Sequence, residues 1–416
     1  MEKIKSILCL MDYGKDTRTG FATVSTNIKR EIKKEFGSKI NLHILGINHY
    51  GDDYVEEDGT KVFSAKINDV KSDDFGRYYF LKELQDGDYD GVFIIQDLGV
   101  IHPIVPVMES IKQKKIEDGK KVFKSIWYFP VDCHLFPTLT RHLDFFDVVV
   151  TYTEFGRGEI LKFRPELKGK IKVVNHGNNP KDFYPMSDED KIKFRKEYFG
   201  KNADKIIITN VNRNQPRKDI PNTIFGFLEA KKDWEKNGLE REPFLYLHCM
   251  PKDPLGHDLR AILMQTQLVE YKDFMLLPKQ YESNLLSIEM LNGIYNASDI
   301  YITTTLGEGW GLTITEAFAT KLPVIAPNTT SISEISGYGS RAYLLETIVP
   351  FCSTVDNIIR EQSDCWEVGE KIIEVANDLT SKNKKLNDKI QKAYEYVNTL
   401  KWDDVCNRWV EYFKIY

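Results

Sequence analysis

Asp299-Ile-Tyr-Ile-Thr303-Thr-Thr-Leu-Gly307-Glu308-Gly309-Trp310-Gly311-Leu312-Thr-Ile-Thr-Glu316-Ala-Phe-Ala319 decides the fold. Asp299 to Thr303 is a β-branched and aromatic run, which predicts a buried strand. Leu312 to Thr320 predicts a helix whose apolar surface comes from Leu312, Ile314, Ala317, Phe318 and Ala319. Three glycines lie between them. Glycine lets a backbone approach a ligand closely, and the first turn of a helix offers N–H groups to an anion. Strand, glycine-rich turn, helix is therefore a fold signal and a site signal together.

Two carboxylates frame the turn, Glu308 within it and Glu316 on the helix, eight positions apart. A carboxylate accepts hydrogen bonds from two neighbouring hydroxyls, which suits sugars. The pair could hold two sugar rings while the helix end holds phosphate between them, which describes a sugar nucleotide. The plainer alternative makes Glu308 a solvated loop acid and Glu316 an acid favoured by the helix dipole. Spacing alone leaves both open.

Working outward, strands and helices alternate along the whole chain. Ile4 to Met11 predicts the first strand, Asp12 to Gly20 a polar loop, and Phe21 to Phe36 a helix. Arg18-Thr19-Gly20-Phe21-Ala22 is thus a second strand–loop–helix junction, although not a dinucleotide fingerprint. Further strands are predicted at 41–46, 61–65, 89–95, 122–129, 147–152 and 171–174. Helices are predicted between them at 77–84, 104–114, 139–145 and 155–163. Asn178 to Pro185 has two prolines and no periodicity, which marks a linker. Ser187-Asp-Glu-Asp190 resembles a capping box opening a helix. The alternation then restarts, with strands at 206–211, 244–248, 274–277, 299–303 and 323–326. Helices are predicted at 222–232, 259–268, 284–296, 312–320, 363–379 and 383–400. Short links between alternating elements imply parallel sheets covered on both faces. The reading is α/β, with two doubly wound Rossmann-like domains. Ligands of such sheets bind outside the carboxyl ends of the strands, so a cleft between the domains would set the Gly20 loop opposite the Glu308 loop.

Composition narrows the function. A chain of 416 residues with 42% hydrophobic residues favours two or three packed domains. A net charge of −5 and the lack of a Lys/Arg arm argue against general nucleic-acid binding. Cys9, Cys133, Cys249, Cys352, Cys365 and Cys406 are scattered without a C-x-x-C pair, which argues against zinc or a disulfide framework and fits a reducing, cytoplasmic setting. The apolar run before Asp12 is too short for a signal peptide or a membrane span, which leaves peripheral membrane contact open. Asp86-Gly-Asp88 and Asp88-Tyr-Asp90 precede a strand rather than follow one, so they read as a turn and no metal site is expected.

A basic segment, Val211-Asn-Arg213-Asn-Gln-Pro-Arg217-Lys218-Asp219, follows the first strand of the second half. Arg213 and Lys218, with Arg217 as a further candidate, suit phosphate oxygens: arginine as a fork, lysine as a point charge.

With these residues in view, the sequence resembles glycosyltransferase family four, which has the GT-B fold. Glu308-Gly-Trp-Gly-Leu…Glu316-Ala-Phe-Ala looks like the family's E-x7-E signature, continued by Lys321-Leu-Pro323-Val-Ile-Ala326. Arg213…Lys218 looks like its phosphate pair. Val173-Val-Asn175-His176-Gly177-Asn-Asn-Pro…Phe183-Tyr-Pro185 looks like its interdomain segment, and Lys401-Trp402-Asp403 like its closing one. The resemblance covers essentially the full length. It implies an acceptor-side domain over 1–180 joined by a helix at about 402–416 that crosses back. A nucleotide-sugar domain would span 185–400.

The resemblance also implies roles. Glu316 would bond the nucleotide ribose and Glu308 would lie near the donor sugar. Arg213 and Lys218 would hold the diphosphate. The amides of Gly309, Trp310, Gly311 and Leu312 would meet the donor. Gly20 would approach the phosphates or the acceptor, and Pro278, in Leu276-Leu-Pro278-Lys279, would lie at the nucleobase. The family's usual histidine place holds Val131, which leaves Asp132 as the acceptor-side group and His134 as a substitute. The implied activity is a retaining glycosyltransferase. It would move a sugar from a UDP- or GDP-sugar to a glycan, lipid-linked or protein hydroxyl, with no further cofactor required. Transfer to a hydroxylated nucleobase in DNA, and a nucleotide-sugar binder or epimerase of the same fold, are the alternatives.

Overall fold

A computed structural model of the chain describes residues 4–15, 17, 19–65, 73–282, 286–352 and 356–416. Arg18 and the expected helix start at Asn284 lie outside the described residues. The chain divides into two units, Met1–Gly177 with Trp402–Tyr416, and Asn178–Lys401.

The first unit is built on one sheet. Its strands run in space Tyr54–Val55, Lys61–Ser64, Ile40–Ile47, Lys5–Asp12, Gly91–Ile95, Lys124–Phe129, Val148–Thr151, Ile171–Val173. All neighbours are parallel except the short edge strand Tyr54–Val55. Gly91–Ile95 is buried at every residue, as expected of a strand covered on both faces. The helix Trp402–Phe413 completes this unit: Trp409 is buried, and its ring lies 5.3 Å from Phe93 and 4.7 Å from Tyr128.

The second unit holds a six-stranded parallel sheet in the order Phe274–Leu276, Pro243–His248, Ile206–Val211, Ile300–Ile302, Val324–Pro327, Tyr343–Leu345. This is the doubly wound order, in which the direction of winding reverses between Ile206–Val211 and Ile300–Ile302. Side chains alternate between two cores. Ile206, Ile208, Leu245 and Leu247 face one, with Ile220, Ile224 and Phe227; Ile207, Phe244, Tyr246 and Met275 face the other, with Phe199 and Ile294. Caps fix the helix starts: the Thr19, Ser187 and Ser287 hydroxyls accept the Ala22, Asp190 and Met290 amides. Asn292 and Asn296, one helical turn apart, take up the linker, accepting the amides of Tyr184 at 3.1 Å and Met186 at 2.8 Å.

Four expectations need correction. The helix expected over 139–145 is two separate 3-10 turns, Pro137–Thr140 and Leu143–Phe145, because the Thr140 hydroxyl bonds back to the Pro137 carbonyl and closes the first turn. The helix expected to Leu268 ends at Leu263, whose carbonyl is taken by the Thr266 hydroxyl at 2.6 Å. The helix expected over 284–296 is Ile288–Ala297 in the described residues, capped by Ser287. Gly20 is the first residue of the helix Gly20–Phe36, not part of the loop, because Thr19 caps it. The sequence reading also missed the helix Thr330–Ile335, the strand Tyr343–Leu345 and the hairpin Val349–Cys352/Ile359–Gln362.

Candidate functional site

The two segments singled out in the second half meet at the switch point of the second sheet. Residues 212–219 follow Ile206–Val211 and residues 303–311 follow Ile300–Ile302, two neighbouring strands. A buried polar lattice joins the loops. Asn212 donates to Asn210 at 2.9 Å and to Thr303 at 3.3 Å. The Thr223 and Thr304 hydroxyls share a bond of 2.7 Å, and Thr304 donates to the Asp219 carbonyl. The Arg217 carbonyl accepts the Leu306 amide at 2.8 Å and the Thr305 hydroxyl at 3.2 Å. Six short polar side chains thus fill space that aliphatic residues fill elsewhere, and they fix the loops against each other.

Glu308 is the electrostatic centre. Its side chain is buried and takes the Lys218 ammonium on Oε1 at 2.5 Å and the Arg217 guanidinium on Oε2 at 3.4 Å. Arg217 also donates to the Gly307 carbonyl. Burial pushes the carboxyl up, but Lys218 and Arg217 outweigh it and bring its pKa down to about 2. The backbone of Glu308 is held from the other side. Its amide donates to the Thr330 hydroxyl at 3.0 Å, and its carbonyl accepts the Ser331 hydroxyl at 2.6 Å. Thr330 sits in the left-handed region at φ 49°, a strained place for a β-branched residue, which aims its hydroxyl at the turn.

Gly311, also left-handed at φ 97°, precedes the helix Leu312–Ala319 and accepts the Ile314 and Thr315 amides. Gly309 and Trp310 lie in the turn itself, and Trp310 is buried. Glu316 is half-buried on this helix and accepts the Tyr295 hydroxyl at 2.7 Å. Burial raises its pKa to about 7; the Tyr295 bond lowers it and the nearby Asp182 charge raises it further.

Arg213 takes a different direction from Lys218. Its Nε donates to the half-buried Asp253 carboxylate at 3.1 Å. Asn214 explains this: its amide group bonds the carbonyls of Met250 and His257 and the His257 amide, which staples residues 250–257 beside Arg213. The cations that meet on Glu308 are therefore Lys218 and Arg217. Pro278 follows the edge strand Phe274–Leu276. Asp219 is buried and left-handed at φ 46°; its carboxylate accepts the Gln362 amide at 2.6 Å, and burial raises its pKa to about 7.

In the first unit, Gly20 lies beyond the switch-point strand Lys5–Asp12. There the buried Asp12 accepts Thr19 at 2.6 Å and Asn48 at 3.0 Å. Asp132 is half-buried in the loop after Lys124–Phe129. Val131 is buried, and a Cβ on Gly156 would lie 3.1 Å from it. His134 holds the buried Glu159 at 3.1 Å, and Glu159 also accepts the Leu135 amide, so this histidine shapes the loop. Asp90 serves the sheet: it accepts the Ser6 amide at 2.9 Å and the Lys121 ammonium at 2.7 Å.

Thr330, Ser331, Tyr295 and Asp219 were absent from the sequence-derived site. The hydroxyl-rich run Asn328-Thr-Thr-Ser-Ile-Ser333 was the signal for the first two. Among the described residues no helix is long and apolar enough to cross a membrane.

Residues 283–361 match the sequence model of the family described as "Glycosyl transferases group 1". A probable sucrose-phosphate synthase of Thermosipho melanesiensis is 29% identical over 194 residues, which is 47% of this chain and 41% of that protein. Among solved structures, Anabaena Alr3699/HepE in complex with UDP-glucose superposes with a TM-score of 0.67 at 13% identity, covering 99% of this chain and 100% of that one. Sucrose-phosphate synthase (tll1590) from Thermosynechococcus elongatus gives 0.66 at 13% identity, covering 99% and 98%. The chain has the GT-B fold of these glycosyltransferase structures, and its segment carrying Glu308 and Glu316 is the part that matches the group 1 glycosyltransferases.

Proposed function

We propose that the chain is a retaining glycosyltransferase, of family four, that moves a sugar from a nucleotide-diphosphate sugar to an acceptor hydroxyl. The observation that carries this reading is the convergence of Lys218 and Arg217 at a switch point on Glu308, which lies in the segment that matches group 1 glycosyltransferases. Cations beside a glycine turn and a helix start suit a diphosphate. Glu316, oriented by Tyr295, suits the adjoining ribose hydroxyls. Arg213 is assigned to the diphosphate as well, and reaching it requires leaving Asp253. Pro278 is assigned to the nucleobase, Gly20 to the phosphates or acceptor, and Asp132 to the acceptor.

In this mechanism the bond from the sugar's anomeric carbon to the diphosphate breaks, and the acceptor oxygen attacks from the same face. The departing phosphate takes the acceptor's proton. The protein's task is to stabilise charge growing on the diphosphate, where losing one such contact costs about 3–4 kcal/mol, or 10²–10³-fold in rate.

The test begins with thermal shift against UDP-, GDP- and ADP-sugars. A bound donor at 100 times its Kd adds about 2.7 kcal/mol of stability. With the donor identified, Lys218→Ala and Glu316→Ala should each remain folded and lose turnover. Wild-type turnover in either variant, or no shift with any nucleotide sugar, defeats the assignment.

A further inference from the structure

Arg217 contacts the glycine turn at four points. Its carbonyl takes the Leu306 amide and the Thr305 hydroxyl, and its guanidinium holds the Gly307 carbonyl and the Glu308 carboxylate. Lys218, the next residue, reaches the other oxygen of the same carboxylate. One buried anion therefore faces two cations. That sharing of one carboxylate has a consequence for any anionic ligand. A diphosphate that draws Lys218 toward itself takes a counter-charge from Glu308. A buried carboxylate left without its partners is costly, whereas one that keeps a guanidinium is not.

We propose that Arg217 is a positioning residue: by holding Glu308 on its own, it frees Lys218 to transfer its charge to the donor diphosphate. Arg217 then touches neither donor nor acceptor and acts on the donor site through Glu308. Without it, Glu308 and the incoming phosphates compete for one ammonium. The planar fork suits the task, since one guanidinium spans the Gly307 carbonyl and the Glu308 carboxylate together, which an ammonium does less well. This inference rests on the donor reading above and extends it to a residue whose role is indirect.

The experiment is a double-mutant cycle read by calorimetric titration of the full chain with UDP, GDP and ADP. In wild type at least one of these should bind. Arg217→Met should weaken that binding by about tenfold or more, because the phosphates must now strip Lys218 from a buried carboxylate that Arg217 no longer holds. Arg217→Lys should fall between the two. The decisive arm is Arg217→Met with Glu308→Gln. With the buried charge removed, affinity should return to within about threefold of the Glu308→Gln single variant. A variant that merely loosened the loops would not recover. Full affinity in Arg217→Met, or no recovery in the double variant, overturns the positioning role while leaving the donor site intact. Failure of wild type to bind any of the three nucleotides overturns both.

Discussion

At the scale of single residues, the second unit holds three acids at its switch point in two different states. Glu308 is paired and held near 2, whereas Glu316 and Asp219 are raised to about 7 by burial. Asp219 gives a prediction with a definite sign. Below its ordinary value of 3.8 both folded and unfolded chains hold the proton; from there to about 7 only the folded chain does. Stability from this group is therefore complete at low pH and declines as pH rises through that window, by roughly 1.4 kcal/mol per unit. Asp219→Asn tolerates the left-handed backbone and can still accept from Gln362, yet cannot ionise. Urea unfolding at pH 5 and pH 8 should show the variant gaining on wild type as pH rises; parallel curves would exclude a buried titration here. Which cation meets Glu308 was not legible beforehand. The sequence reading favours Arg213 and Lys218 over Arg217, although all three lie in one loop. The choice is made by Asn214, which staples the 250–257 loop, and by the left-handed turns at Asp219 and Thr330.

Between elements, the second unit depends on two helices that approach at backbone distance. A Cβ on Gly226, in Ile220–Asp233, would lie 2.1 Å from Val368; one on Gly369, in Cys365–Thr380, would lie 2.8 Å from the Glu229 Cβ. Alanine is the better helix former by roughly 1 kcal/mol, so Gly226→Ala on an exposed face would stabilise. Here overpacking should win, with a net loss of about 1–3 kcal/mol visible as a lower Tm. An unchanged or higher Tm would mean that the helices can part at little cost. The elements themselves were largely readable, because strand and helix periods are local properties and a run such as Ile206-Ile-Ile-Thr-Asn-Val211 has few other uses. Short or hydroxyl-rich pieces were not. Thr330–Ile335 has one helical turn and a strained first residue, and the 259–263 helix stops where a threonine side chain replaces an amide as donor.

Across the whole molecule, the chain leaves its first unit after Gly177 and re-enters it at Trp402. A Cβ on Gly177 would fall within 2.6 Å of Trp402 atoms, and the Asn178 amide donates to the Leu400 carbonyl, so departure and return are bound together. The returning helix fills a core position. Trp409 packs on Phe93 and Tyr128, Phe413 lies 5.0 Å from Phe93, and the Tyr416 hydroxyl donates to the Val92 carbonyl at 2.6 Å. Trp409→Ala should cost about 3–5 kcal/mol, read by urea denaturation; a loss under 1 kcal/mol would show that the helix is dispensable to that core. Biosynthesis feels the same arrangement. Residues 402–416 follow the whole second unit in the chain, so the first unit cannot be completed until the second has been made. While the entire second unit is being made, the aromatic surface around Phe93 and Tyr128 stays uncovered on the nascent chain, a liability that the contiguous second unit does not share.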